Sequence, residues 1–251
     1  MPPGAAGETA SGTAMPAELV ADVPKRALAI YAHPDDAEVS CGGTLARWSA
    51  AGCEVEVVVC TRGDKGSTDP AADVDMLVSR RDAEVAAAAG RLGVRSVHRL
   101  GLDDGEIEND RRLRESLVRL VRAIRPEVVV CPDPTAVFFG EHYYNHRDHR
   151  SVGWAVLDAI APAASSPLYF PGTGAVWSVG TVYLSGSLDA NVLVDISRFV
   201  DQKTEAILCH SSQLAETGEW FGVAVRERAE EAGRLGGIEL AEAFRRVRPG
   251  G

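Results

Sequence analysis

The sequence holds only three lysines against 23 arginines, and it contains no CxxC pair, no GxGxxG fingerprint, no P-loop lysine and no long apolar run. Each absence removes a class of function. With 36 acidic and 26 basic residues the formal charge is -10, which argues against nucleic acid or an anionic membrane as the main partner. No stretch approaches the roughly 18 to 20 apolar residues of a membrane span, and the N-terminus lacks the basic-then-apolar order of a signal peptide. Five cysteines, Cys41, Cys53, Cys60, Cys131 and Cys209, are odd in number and widely spaced. They read as packed thiols in a reducing, cytoplasmic compartment. Gly42 and Gly43 in "CGGT" fit no phosphate loop, which leaves close packing of a helix on a sheet as their purpose. Oligomeric state is not encoded legibly, and a homo-oligomer is compatible with the pattern.

What is present is a regular alternation. Residues 1–24, "MPPGAAGETASGTAMPAELVADVP", are small, polar and rich in Pro and Gly, so they are expected to form a disordered tail that buries too little apolar area to offset ordering entropy. From Lys25 to Gly251 one domain is expected. In it the apolar runs "ALAIYA", "EVEVVVC" and "EVVVCP" alternate with segments of helical period over 76–92 and 111–125, the βαβ order of a parallel sheet. The helical segments stop at Gly52, at Gly93 and before Pro126. "TVYLSG" and "NVLVDI" read as two further strands, followed by a helix over about 197–211 and a polar helical stretch around 221–234.

In open parallel sheets ligands bind beyond the carboxyl ends of the strands, and both charged clusters of this sequence fall there. The first is "AHPDDAE", residues 32–38, where "ALAIY" is apolar on both faces and Pro34 biases His33 toward extended backbone, so His33 should face the crevice. Asp35 and Asp36 have a plainer reading as the acidic first turn of a helix. The second cluster is "YYNHRDHRSVGWAVLDAI", residues 143–160, which places His146, Asp148 and His149 at the head of a helix that Asn145 can cap. Val152, Val156, Ala159 and Ile160 form its inward stripe, and His149 projects from that same side. A lone HxxH is more often surface than ligand. Together with "HPDD" it supplies the three or four nitrogen and oxygen donors of a divalent metal, and spacing leaves open which aspartate and which later histidine would serve. The absence of a nearby thiolate favours an open, hydrolytic site over a closed structural zinc site.

At these residues the sequence resembles the LmbE-like (PIG-L) de-N-acetylase family, which carries "HPDD" after the first strand and "HxDH" later. The likeness extends through "GGTLARW", "TRGDKG", "RDAEVAAAAGRLGV", "GLDDGEI", "NHRDHRSVG" and "KTEAILCHSSQ". The resemblance implies a Rossmann-like α/β fold with helices on both faces of a mostly parallel sheet. It also implies zinc-dependent removal of an acyl group, usually acetyl, from an N-acetylglucosamine-type small molecule. Carried over by motif position, His33, Asp36 and His149 would hold Zn2+ and Asp35 would be the general base. Tyr144 would help bind the carbonyl oxygen and Arg81 would contact substrate. Family members commonly have Pro inside the second motif, where this chain has Arg147.

Amide hydrolysis suits these roles. A bound divalent metal, zinc or another ion accepted by His and carboxylate donors, lowers the pKa of its water to about 7 and polarises the carbonyl. Asp35 would then move the proton to the leaving amine. His146, protonated and with Asp148 holding its ring, would stabilise the oxyanion. Asp104 follows a strand end in "GLDDGE" and is a candidate for sugar hydroxyls, although "DDG" is also an ordinary turn. His210, near a helix end, reads as a dipole partner and is left off the site. Two other readings are an amidase acting on a thiol conjugate or glycosylated natural product, and a non-catalytic sugar- or nucleotide-binding module.

Overall fold

The computed structural model of the chain describes residues 17–141, 143–214 and 220–249. Its centre is the strand β2 (Arg26–Tyr31), built from the run RALAIY. Because successive side chains point to opposite faces, Ala27, Ala29 and Tyr31 enter one core and Leu28 and Ile30 the other. Both faces of β2 are therefore covered, as a central strand in a parallel sheet requires. Burial of each large aliphatic side chain contributes about 1.5–3 kcal/mol.

Flanking β2 are β3 (Glu54–Thr61), β4 (Ser96–Leu102) and β5 (Val128–Pro132), joined through the helices α1 (Asp36–Ala50), α2 (Val74–Leu92) and α3 (Arg111–Ile124). A short hairpin, β6 (Phe138–Phe139) and β7 (Tyr143–Tyr144), precedes α4 (Arg147–Asp158), which runs into a π-helical turn at Ala159–Ala164. Then come β8 (Thr181–Ser185), β9 (Val192–Asp195), α5 (Val200–Leu208), α6 (Ser211–Leu214), α7 (Trp220–Gly236) and β10 (Ala241–Val247). Leu45 of α1, Val85 and Leu92 of α2 and Ala206 of α5 lie in the first core, whereas Leu117 and Val121 of α3 and Val152 and Val156 of α4 lie in the second. Helices thus cover both faces, as the alternation of runs predicted.

Counting a strand β1 at Glu18–Val20, the main sheet has eight strands in the order β1-β9-β10-β8-β5-β2-β3-β4. All neighbours are parallel except β10, which is antiparallel to both β8 and β9. Its first half, Ala241–Phe244, pairs with β9 and its second, Phe244–Val247, with β8, so Phe244 faces both Val192 and Ser185. The sequence did not announce β10, because Glu242 occupies a buried position that an alternating pattern reserves for an apolar residue. Within the stretch expected to be a tail, Glu18–Val20 is corrected to an edge strand: parallel pairing with β9 orders it and buries Val20. Residues 1–16 of that stretch lie outside the described residues.

Two local features shape the approach to β2. The α1 helix is interrupted at Cys41 (φ -146°, ψ 16°), and the buried amides of Gly43 and Thr44 donate to the Glu242 carboxylate at 3.0 and 2.7 Å, itself paired with Lys203 Nζ at 2.6 Å. A Cβ on Gly43 would lie 2.8 Å from the Ile196 side chain, so these glycines do serve close packing. The chain passes from β2 to β3 and β4 on one side and then returns to β5 on the other. The order reverses at β2, and the crevice beyond the ends of β2 and β5 is where such a sheet binds ligands.

Candidate metal centre

The crevice is entered from β2 by Ala32 and His33. After Pro34 the chain turns sharply: Asp35 is the N-cap of α1 at φ 106°, ψ -24°, a left-handed conformation that a non-glycine residue adopts only at a cost. Its side chain caps nothing. That excludes the plain reading of Asp35 as a helix-capping residue, and leaves its carboxylate 3.5 Å from Arg81 Nη2. Asp36 points the other way. One carboxylate oxygen accepts the His33 N–H at 2.7 Å, and the other lies 3.1 Å from His149 Nε2.

From the opposite wall, α4 brings its own residues. His146 is the N-cap, with its Nδ1 accepting the Asp148 N–H at 3.3 Å, so Asn145 does not cap the helix as the sequence suggested. Asn145 instead uses Oδ1 on His149 Nδ1 at 3.0 Å and donates Nδ2–H to the Ala136 carbonyl at 3.0 Å. Gly153 lets α4 sit this close, since a Cβ there would be 2.6 Å from the Pro132 carbonyl. His33 Nδ1 lies 3.2 Å from His149 Nε2 and 3.3 Å from Asp36 Oδ2. His33, Asp36 and His149 each offer one donor atom within 4.8 Å of the others.

The same criterion also groups His33 with Asp104 and His146. The two nitrogens of His33 distinguish the trios. Nε2 faces two carboxylates, Asp104 at 3.1 Å and Asp148 at 3.3 Å, so it carries the proton and frees the Nδ1 lone pair toward Asp36 and His149. Metal-ligating histidines regularly donate their second N–H in this way, and His149 has the matching partner in Asn145. The donor set therefore fits a divalent cation in the trio His33, Asp36 and His149.

The carboxylates favour positive charge here, supplied by protons on the imidazoles or by a metal ion that displaces them. Burial opposes ionising His33, but Asp36, Asp104 and Asp148 outweigh it and hold the imidazole up at about 12. His149 is raised against its burial by Asp36. Asp36 is buried yet held well below the usual carboxylate range by His149 and His33. Burial, reinforced by the negative charge of Asp36, pushes Asp35 up to about 7 despite Arg81. Two adjacent aspartates thus differ in protonation because one faces two imidazoles and the other lies against a like charge.

Several residues sit otherwise than the sequence suggested. Asp148, fully buried, does not grip the His146 ring; its carboxylate accepts the Gly105 and Ile107 amides at 2.7 and 3.1 Å and reaches His33. His146 is held below its ordinary pKa by burial and by the charge of His33, so it presents a neutral ring with Nε2–H as donor. Arg81 is 2 % exposed, and its guanidinium donates to the Pro34 and Gly63 carbonyls at 2.8 and 3.2 Å. It props the turn carrying Asp35 from inside. Tyr144 is 68 % exposed on β7, and no hydrogen bond or ring contact joins it to the three imidazoles among the described residues. Asp104 lies beside His33. Asn145 was missed as a functional residue, although its place four residues before His149, just ahead of the helix, was a readable signal. His210 is also buried rather than capping a helix end, with Nε2 3.6 Å from Glu38 Oε2.

The family model for PIG-L, described as GlcNAc-PI de-N-acetylase, matches residues 28–160, the span that carries every one of these residues but His210. The chain belongs to the PIG-L family. Among PIG-L relatives, a diacetylchitobiose deacetylase of Thermococcus kodakarensis is 31% identical over 89% of this chain and 83% of its own length. A 1D-myo-inositol 2-acetamido-2-deoxy-alpha-D-glucopyranoside deacetylase of Streptomyces avermitilis is 28% identical over 81% of this chain and 88% of its own. The solved N,N'-diacetylchitobiose deacetylase from Pyrococcus horikoshii, complexed with its inhibitor MPG, superposes with a TM-score of 0.83 at 28% identity, covering 90% of this chain and 84% of that one. No helix among the described residues is long and apolar enough to cross a membrane.

Proposed function

We propose that this chain is a zinc-dependent hydrolase that removes the acetyl group from an N-acetylglucosamine-type sugar. The observation that carries the proposal is the donor trio of His33, Asp36 and His149 with Asp35, outside the trio, beside it on the same turn. The relatives' deacetylase activities on 2-acetamido sugars support the substrate class. In the overall reaction water adds to the acetamide carbonyl, the C–N bond breaks, and acetate and a free amine leave.

His33, Asp36 and His149 would hold zinc, which when bound would acidify a water and polarise the carbonyl. Asp35 accepts the proton of the attacking water and returns it to the leaving amine, for which a carboxylate near neutrality is well matched. Arg81 fixes the carbonyl of Pro34 and so the position of that carboxylate. His146 offers Nε2–H to the developing oxyanion, a role that needs a directed donor and no net charge. Asp104 and Asp148 keep His33 in the tautomer that leaves Nδ1 free.

The test combines metal analysis of the purified chain with amine release from a panel of N-acetylglucosamine conjugates. About one equivalent of zinc is expected, and Asp35→Asn should keep it while losing about 10²–10⁴-fold in rate. A wild-type protein without divalent metal, or an Asp35→Asn variant of full activity, would overturn the proposal.

A further inference from the structure

We infer that Arg147 is a positioning residue for the metal centre, acting as a clamp on the loop between β4 and α3. The inference rests on the zinc-hydrolase reading above and adds a residue to it. Arg147 is the first residue of α4, where its own N–H has no intrahelical acceptor. The preceding His146 has φ -56° and ψ 142°, the extended geometry that a residue before proline adopts. Backbone alone would therefore accept proline at position 147, a favoured first residue of a helix. The arginine must be explained by its side chain.

That side chain leaves the helix toward residues 103–108. Nη1 donates to the Gly105 carbonyl at 2.7 Å, and the guanidinium lies 3.8 Å from both the Glu106 and the Glu108 carboxylates. Gly105, at φ 77°, is the pivot of the loop. Its carbonyl faces Arg147 while its N–H donates to Asp148. Ile107 N–H supplies the second donor to Asp148, and Asp104 reaches His33 Nε2 from the same loop. Both carboxylates that orient His33 thus depend on how this one loop is held. Asp148 is its neighbour in sequence, so Arg147 ties the loop back to the helix that also carries His149.

The loop has further anchors on the β3 side: Lys65 pairs with Glu106 at 2.8 Å, Arg62 with Asp103, and Asp64 accepts the Asp104 N–H at 3.0 Å. Removing Arg147 should consequently loosen the loop without releasing it. A single hydrogen bond from a half-solvated side chain to a carbonyl corresponds to about a three- to tenfold effect, whereas losing a direct partner of a ligating histidine costs about 10–100-fold in metal affinity.

The test uses the full chain as wild type and as Arg147→Pro, Arg147→Ala and Arg147→Lys, reading zinc affinity by chelator competition and hydrogen exchange at the Gly105 and Ile107 amides. Arg147→Pro should melt no lower than wild type, exchange faster at both amides, and bind zinc about three- to tenfold more weakly. Arg147→Lys, which keeps a donor within reach of the loop, should recover most of the affinity. Wild-type affinity in both Arg147→Pro and Arg147→Ala would overturn the inference. So would faster exchange at unchanged affinity, since the clamp would then serve only the loop. If Arg147→Pro does not fold, Arg147→Ala gives the same two readouts without constraining the helix start. Should the wild type bind no zinc, the hydrolase reading itself fails, and with it the metal-directed role of the clamp, whereas exchange at the two amides still reports whether the clamp exists.

Discussion

Asp35 occupies a backbone conformation that glycine would adopt freely, and it does so with a carboxylate pushed up to about 7 by burial and by its neighbour. Left-handed strain of this kind costs about 1–3 kcal/mol and persists only where the surroundings impose it. Asp35→Gly should therefore raise stability by about 1 kcal/mol, a few degrees in melting temperature, while abolishing amine release. Thermal melts beside Asp35→Asn, which keeps the strain, separate the two effects; a lower melting point for the glycine variant would contradict them. The chemistry-bearing residue types at 33–36 and 146–149 were legible because a strand end and a helix head announce themselves in sequence. Their partners were not. Whether Asp148 turns to His146 or to His33 depends on amides of Gly105 and Ile107 some forty positions earlier, and whether Arg81 faces outward depends on the carbonyls of Pro34 and Gly63.

Elements are tied to one another here by carboxylates that cap neighbouring backbone. Glu84 of α2 accepts from the Ser211 hydroxyl and from both the N–H and the hydroxyl of Ser212, which seats α6 on α2. Burial pushes this carboxylate up, but the Ser212 and Ser211 donors prevail and hold it below its ordinary 4.5. A depressed carboxylate contributes stability that is present above its unfolded pKa and is lost as pH falls through the folded one. The melting-temperature gap between wild type and Glu84→Gln should accordingly narrow as pH drops below about 4.5. A gap that stays constant or widens there would refute the linkage. Glu242 plays the corresponding part for the break in α1, and it is buried against Lys203. Glu242→Ala strands that lysine and should cost about 3–5 kcal/mol in denaturant unfolding, whereas Glu242→Gln together with Lys203→Met, which removes both charges and keeps an acceptor for the amides of Gly43 and Thr44, should recover much of it. The helices and parallel strands could be foreseen from periodicity. The strands β1 and β10 could not, since one is three residues long and the other hides a buried ion pair inside its pattern.

At the scale of the molecule, two cores separated by one sheet account for the cysteines. Cys41, Cys53, Cys60 and Cys131 are buried, and burial raises each thiol, Cys53 to about 11. Only Cys209 is partly exposed. A thiol reagent should therefore modify no more than one cysteine per native chain, and all five after denaturation; rapid reaction of two or more in the native state would contradict this packing. The parallel core of the sheet followed from sequence, but its strand order did not, because adjacency of β10 to β8 and β9 is a long-range pairing that no local pattern encodes. That pairing has a consequence during synthesis. A ribosome delivers β8 and β9 before the strand that lies between them, and at about 5–20 residues per second the wait for β10 lasts roughly 2–10 s. Throughout it, Val182, Leu184 and Leu193 border open strand edges, the kind of surface that templates aggregation. The nascent chain is thus most vulnerable when its HPDD and HRDH motifs have long been made, and holding chaperones would be needed most in that interval.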